Sequence, residues 1–309
     1  MSGDTSTILH SALVAAHSKY RGRIAPSPTG YLHLGHGRTF WIAYQRALER
    51  NGILVLRNED LDPERSKPEF VSAMIEDLRW LGIHWQEGPD MGGPFAPYEQ
   101  SERRPSYVAA LRTLADKELI YPCTCSRREI ERVAQAPNQG DEESPYPGTC
   151  RTRGVADARS RLDEILASPS RRKRSSGEPP RPPNWRFRVP QGESVSFADG
   201  RFGSQRFVGG QDFGDFIVWR HDDVPSYQLA VVVDDAAMKI TEVVRGADLL
   251  LSTARQLLLY AALGWRPPDF YHCPLVTDES GVRLAKRHDS MSLRALRNRG
   301  ATPLEIHGR

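Results

Sequence analysis

Residues 25–38 read APSPTGYLHLGHGR, and no regular element can run through their first half. Pro26 and Pro28 lack amide donors and hold φ fixed, and Gly30 adds a further break, so the stretch is a shaped loop. Residues 38–51 then carry helical periodicity, with Gly52 as the stop. His33 and His36 therefore fall where the loop enters the helix. Amides without helical partners and the positive end of the helix dipole gather there, a setting that favours a bound anion. Two imidazoles three residues apart can face that same anion. The plainer alternative is a pair of exposed histidines at a helix start.

The flanking sequence places this loop in an α/β chain. Residues 21–27 read as a strand, and 52–62 as an apolar strand that ends in carboxylates. Amphipathic helices are predicted over 68–83 and 103–120. Strand, helix and strand in this order predict a parallel, doubly wound sheet. Residues 121–190 break the pattern, with three of the four cysteines followed by a Pro/Gly/Ser-rich basic stretch, 171–188, that reads as a flexible loop. From 191 order returns. ESVSFADG and GDFIVWR are strand-like, 226–246 reads as strands buried on both faces, and DLLLSTARQLLLYAALGW predicts a helix. The sheet is thus expected in two halves, 1–120 and 191–309, around an insertion over 121–190.

Composition narrows the class. A chain of 309 residues with 39% hydrophobic content has room for a large core and more than one domain. The net charge is only +3, yet 171–188 is crowded with arginine, which suits nucleic acid as well as a solvated surface. No stretch approaches a membrane span. Asp4 stands where a secretion signal wants Lys or Arg, and four cysteines do not make a disulfide scaffold, so a cytoplasmic chain is expected.

Neither common Gly-rich phosphate loop is present. Instead, RIAPSPTGYLHLGHGR resembles the HIGH-type signature of class I aminoacyl-tRNA synthetases, in the form used by the glutamyl branch. HLGH stands for the tetrad, and RLAK at 283–286 for the second, KMSKS-like signature, whose lysine contacts the nucleotide. Arg283 and Ala285 stand where Lys and Ser are common, which keeps a charge and loses a hydroxyl. The resemblance implies a Rossmann-like sheet and activation of a carboxylate by ATP with Mg²⁺. It assigns ATP binding to His33, Gly35, His36 and Lys286, with His33, His36 and Lys286 catalytic. It also implies the acid, L-glutamate: Arg23, Ile24, Ala25, Pro26 and Ser27 cradle it, Glu59 holds its ammonium, and Tyr227 and Arg245 close the pocket. The residues add support, because Arg245 ends a buried-looking strand where an unpaired charge is costly. A salt bridge to Asp248 or Glu242 is the alternative.

Cys123, Cys125 and Cys150 suggest a thiolate zinc site, for which four ligands are the rule. Cys273 lies in a strand-like context and reads as core. Zinc-binding glutamyl synthetases offer a histidine two residues past the last cysteine, where this chain has Thr152. Tyr146 as fourth ligand is instead the pattern of a short group in this family, the glutamyl-queuosine tRNA(Asp) synthetases, here with QAPNQGDEES as extra length before Tyr146. Little chain follows Lys286, so no anticodon-binding domain is expected. The resemblance then implies tRNA-independent activation of glutamate. It further implies transfer to a queuosine hydroxyl in the anticodon loop of tRNA(Asp), by a monomer. The rival readings are a glutamyl-tRNA synthetase fragment charging the 3′ end, and a non-catalytic RNA-binding paralogue.

Overall fold

The computed structural model describes residues 19–126, 129, 146–152, 162–163, 182–276 and 292–308. Strand β1 (Arg21–Ile24) pairs in parallel with β2 (Ile53–Leu56), Arg21 opposite Ile53 and Ile24 opposite Leu56. Helix α1 (Leu34–Glu49) makes the crossover and buries Gly37, Phe40, Ala43 and Ala47, a stripe at helical spacing. Gly52 has a different task from the one its position suggests. Asn51 takes the left-handed turn, with φ at 48°. At Gly52 a Cβ would come within 2.7 Å of the Tyr20 carbonyl, so glycine is needed for close approach.

Helices α2 (Pro68–Trp80) and α3 (Arg104–Asp116) follow, then β3 (Ile120–Cys123). Strand β4 (Asn184–Phe187) pairs antiparallel with β3 on one side and with β7 (Phe216–Trp219) on the other. Between them lies the hairpin of β5 (Ser194–Asp199) and β6 (Gly203–Val208). Helix α4 (Tyr227–Ala237) leads to β8 (Glu242–Gly246), and helix α5 (Leu250–Leu263) to β9 (Asp269–Cys273). Helices α6 (Leu293–Asn298) and α7 (Pro303–His307) close the described chain.

Among the named strands of the described residues, β1–β2, β8–β9 and β5–β9 pair in parallel and the others antiparallel, so the sheets are mixed rather than wholly parallel. The antiparallel pairs include the short β5–β6 hairpin, whose turn leaves no chain for a crossover. A second difference concerns 226–246, expected to contain strands buried on both faces. Its first half is α4, with the Ser226 hydroxyl accepting from the Leu229 amide as N-cap. An apolar run buried all round fits a core helix as well as a strand, and the cap decides. Thr241, just before β8, ties that strand to β1: its amide donates to the Arg21 carbonyl at 2.9 Å. Among the described residues no helix is long and apolar enough to cross a membrane.

One core cluster gathers Trp185, Trp219, Tyr107 and Leu229, and another Ile24, Leu54, Leu56 and Leu78 with Leu293 and Ile306. Gly37 lets the last two reach α1, since a Cβ there would lie 3.0 Å from Ile306 and 3.1 Å from Leu293. Under α6, Glu76 binds Arg294 and Arg297 at 2.7 and 2.9 Å. Its neighbour Asp77 is wholly buried, and neither carboxylate oxygen has a hydrogen-bond partner among the described residues. Burial pushes the Asp77 carboxyl up to about 6, against the pull of Arg294 and Arg297. A carboxyl raised in the fold costs nothing below its unfolded range and destabilises as pH rises through the folded value. Asp77→Asn is therefore expected to raise stability by ~1–3 kcal/mol at pH 8 and to change little at pH 4, read from urea unfolding at both.

Candidate active site

The loop before α1 is held through carbonyls. Pro26 accepts from the Glu59 amide at 3.0 Å, and Pro28 from the Lys67 amide at 3.2 Å. The prolines thus give up donors the loop does not need and keep the acceptors it uses. His33 is the N-cap of α1: its Nδ1 accepts from the Gly35 amide at 3.2 Å, while His36 Nδ1 accepts from the His33 amide at 3.5 Å. The rings stack with centroids 3.7 Å apart. With Nδ1 accepting in both, each neutral ring carries its proton on Nε2. A Cβ on Gly35 would meet the His33 ring at 3.2 Å, so any side chain there would press on the capping imidazole. That same Cβ would lie 3.9 Å from Val276, and Leu293 donates its amide to the Leu32 carbonyl at 2.7 Å. The chain on both sides of 277–291 therefore abuts the first signature. Arg283, Ala285 and Lys286 themselves lie outside the described residues.

The residues expected around an amino acid come together. Arg23, buried in β1, donates to the Val244 carbonyl at 3.0 Å and faces Asp235 at 3.6 Å. Glu59 is buried against Arg57 at 3.1 Å, and burial pushes its carboxyl up although Arg57 and Arg23 pull the other way. Ser27 is exposed. Tyr227 opens α4, and its hydroxyl accepts from Arg245 at 3.3 Å. The remaining partners of Arg245 are Gln256 Oε1 at 2.9 Å, Thr253 Oγ1 at 2.7 Å, His272 Nε2 at 3.1 Å and the Leu249 carbonyl at 3.4 Å. All are neutral acceptors. Among the described residues no carboxylate pairs with this buried cation: Glu242 is taken by Tyr20 and Arg46. Arg23 Nε and the Tyr260 hydroxyl are buried without hydrogen-bond partners among the described residues.

A second site lies on the antiparallel sheet. The ligand atoms of Cys123, Cys125 and Cys150 fall within 4.8 Å of one another, a group able to hold a metal ion. The Tyr146 hydroxyl joins them, 3.4 Å from Cys123 Sγ and 3.5 Å from Cys125 Sγ. Tetrahedral zinc with thiolate and oxygen ligands spaces sulfur and oxygen by about 3.5 Å. Without a metal, burial pushes the Cys125 thiol up to about 11. Cys273 stands apart, in the cluster with Ile24 and Leu56. Residues 171–181 are outside the described chain, but the far end of the basic run is structural. Arg186 is buried in β4 over the Tyr146 ring at 3.9 Å, and Arg188 lies over Tyr121 at 4.7 Å.

Residues 19–307 match the family model described as tRNA synthetases class I (E and Q), catalytic domain. The chain belongs to that family. It is accordingly a ligase of the class I aminoacyl-tRNA synthetase type. It is 48% identical over 288 residues to the glutamyl-Q tRNA(Asp) synthetase of Nitratidesulfovibrio vulgaris, across 93% of this chain and 84% of the relative. It is 41% identical to glutamate–tRNA ligase 2 of Syntrophus aciditrophicus, spanning 55% of that protein. A crystal structure of a glutamate tRNA ligase from Elizabethkingia meningosepticum, in complex with its amino acid, superposes with a TM-score of 0.72 at 31% identity. The match covers 87% of this chain and 52% of that one.

Around Glu59 and Arg23 lies a buried network that sequence reasoning missed. Arg57 has no exposed surface and donates to Asp235 at 2.6 Å and Glu59 at 3.1 Å, with Asp234 at 3.8 Å from its Nε. Asp234 also accepts from Arg103 at 2.6 Å, Gln100 at 2.7 Å and the Tyr107 hydroxyl at 2.9 Å. The available signal was the pair of aspartates inside the apolar run VVVDDAA, since buried charges need partners. Removing one partner strands the other charges. Asp234→Ala is expected to lower stability by about 3–5 kcal/mol, measured by denaturant unfolding at pH 7.

Proposed function

We propose that this synthetase activates L-glutamate with ATP and transfers it to the queuosine base at the first anticodon position of tRNA(Asp). An oxygen of the glutamate α-carboxylate attacks the α-phosphorus of ATP and pyrophosphate leaves. A hydroxyl of the queuosine cyclopentene diol then attacks the acyl carbon and AMP departs. Positioning and charge neutralisation do most of this work. Two Nε2–H donors, from His33 and His36, suit the phosphate oxygens, and Lys286 supplies a cation from the segment whose flanks abut them. Mg²⁺ accompanying ATP neutralises further phosphate charge. Arg23 to Ser27 frame the amino acid, and Glu59 takes its ammonium. Arg245 and Tyr227 take its side-chain carboxylate. The support is the state of Arg245, a buried cation whose partners among the described residues are all neutral, which favours an anionic ligand.

The choice of acceptor is carried by one observation: the Tyr146 hydroxyl sits among the three cysteines. That pattern resembles the glutamyl-queuosine group, and relatives at 46–48% identity bear that group's name. Zinc fits the donor set, with Cys123, Cys125, Cys150 and Tyr146 as ligands, and would clamp β3 to the segment at 146–150. In this reading 121–190 is an insertion between two halves of one catalytic unit, which works as a cytoplasmic monomer without an RNA cofactor for activation. Metal analysis is expected to find about one zinc per chain. Cys123→Ser should lose it, and Cys273→Ser, changed in a different cluster, should keep it.

The acceptor is tested by charging with radiolabelled glutamate. A tRNA(Asp) stripped of its 3′-terminal adenosine should still accept glutamate, and one with guanosine in place of queuosine should not. Without the diol there is no nucleophile to place against the adenylate, so the difference should be near-absolute while binding changes little. Charging that needs the 3′ end and ignores the modification would instead assign the activity of the glutamate–tRNA ligase relatives.

A further inference from the structure

We propose that His272, backed by Asp199, is a positioning residue that orients Arg245 toward the side-chain carboxylate of the substrate while leaving its charge unspent. The proposal rests on the glutamate reading above and adds to it two residues that carry no assigned role.

The geometry fixes the ring proton of His272, whose Nε2 faces both the Arg245 guanidinium and, at 3.2 Å, the Thr253 hydroxyl. A guanidinium can only donate, so Arg245 Nε at 3.1 Å makes His272 Nε2 an acceptor. The ring proton is then on Nδ1, which donates to Asp199 Oδ2 at 2.6 Å. Asp199 is locked in turn, accepting the amides of Arg201 at 3.0 Å, Phe202 at 2.9 Å and His272 at 3.1 Å. All three side chains are buried, His272 completely. They come from β5, β8 and β9, so the alignment follows from the sheet register, in which Arg245 lies opposite His272.

The interposed imidazole matters because of what a direct ion pair would do. A carboxylate against Arg245 would fix the guanidinium but also neutralise it, and an anionic substrate would then compete with a resident anion. Arg57 in the same fold is held that way, by Asp235 and Glu59. At Arg245 the anion stands one ring away. Gln256 and Thr253 hold the other nitrogens as neutral acceptors, and Tyr227 adds a hydroxyl. The fork is fixed in plane and still carries a charge that favours a carboxylate over an amide.

The test is glutamate-dependent pyrophosphate exchange, with wild type measured first. His272→Leu should raise the KM for glutamate about tenfold or more, the loss typical when a partner that orients a binding group is removed. The KM for ATP should move less than about twofold. His272→Gln keeps an acceptor facing Arg245 and should recover most of the loss. Asp199→Asn still accepts the turn amides but presents an N–H to Nδ1. It drives the ring proton onto Nε2 against the Arg245 donor, and should raise the glutamate KM as well. If His272→Leu does not fold, Asp199→Asn decides. An unchanged glutamate KM in the folded variant overturns the proposal alone. So does an equal loss toward glutamate and ATP with a lowered Tm, which marks a merely structural residue. Wild-type protein with no glutamate-dependent exchange overturns the underlying reading and this proposal with it.

Discussion

A guanidinium with no exposed surface sits at the end of β2, and much of the molecule is arranged to make that tolerable. Desolvating Arg57 is expensive, and Asp234, Asp235 and Glu59 offset it only because they arrive from fixed directions. Two of them require α4 to present consecutive aspartates toward the sheet. The third belongs to the segment that continues β2 and anchors the signature loop through Pro26. Arg103, Gln100 and Tyr107 then bind the free side of Asp234, which fastens α3 to α4. One buried charge thereby sets the spacing of two helices, the end of β2 and the loop that carries the first signature.

A different sheet, in strand β8, holds Arg245 in the opposite electrostatic condition. Both arginines are buried, yet one is surrounded by anions and the other by a carbonyl, an amide, two hydroxyls and an imidazole. The contrast separates architecture from recognition. A cation neutralised in place contributes to stability, and a cation held by dipoles remains available to a ligand. Glu59, pushed up by burial while facing Arg57, belongs to both settings.

The sequence was most informative where local geometry alone decides. Two prolines and a glycine define a loop, two histidines mark a helix entrance, and the order of strand and helix names the fold class. It was least informative where the deciding contact is distant. Whether 226–237 is helix or strand turns on one serine cap, because an apolar run satisfies both periods. Asp199 and His272 lie 73 positions apart, and neither carries a local pattern that points to the other. The arginines at 186 and 188 read from composition as charge for nucleic acid or for solvent, but the fold lays both over tyrosine rings. Cys273 could be set aside from the sequence, since its strand-like context already argued for the core.

The join between β1 and the residue before β8 also bears on how the chain acquires its structure. Arg21 meets Thr241 across 220 positions, through the Thr241 hydroxyl and amide. Strand β1 and its helix must therefore wait, as synthesis proceeds, until most of the polypeptide has left the ribosome. Contacts of such long range slow folding, because loop closure comes before the gain from pairing. In the interval the apolar edge of the first parallel pair has no lasting neighbour, the condition in which nascent chains aggregate or recruit chaperones. The topology that seats β1 against the residue before β8 makes the emerging chain dependent on its own far end.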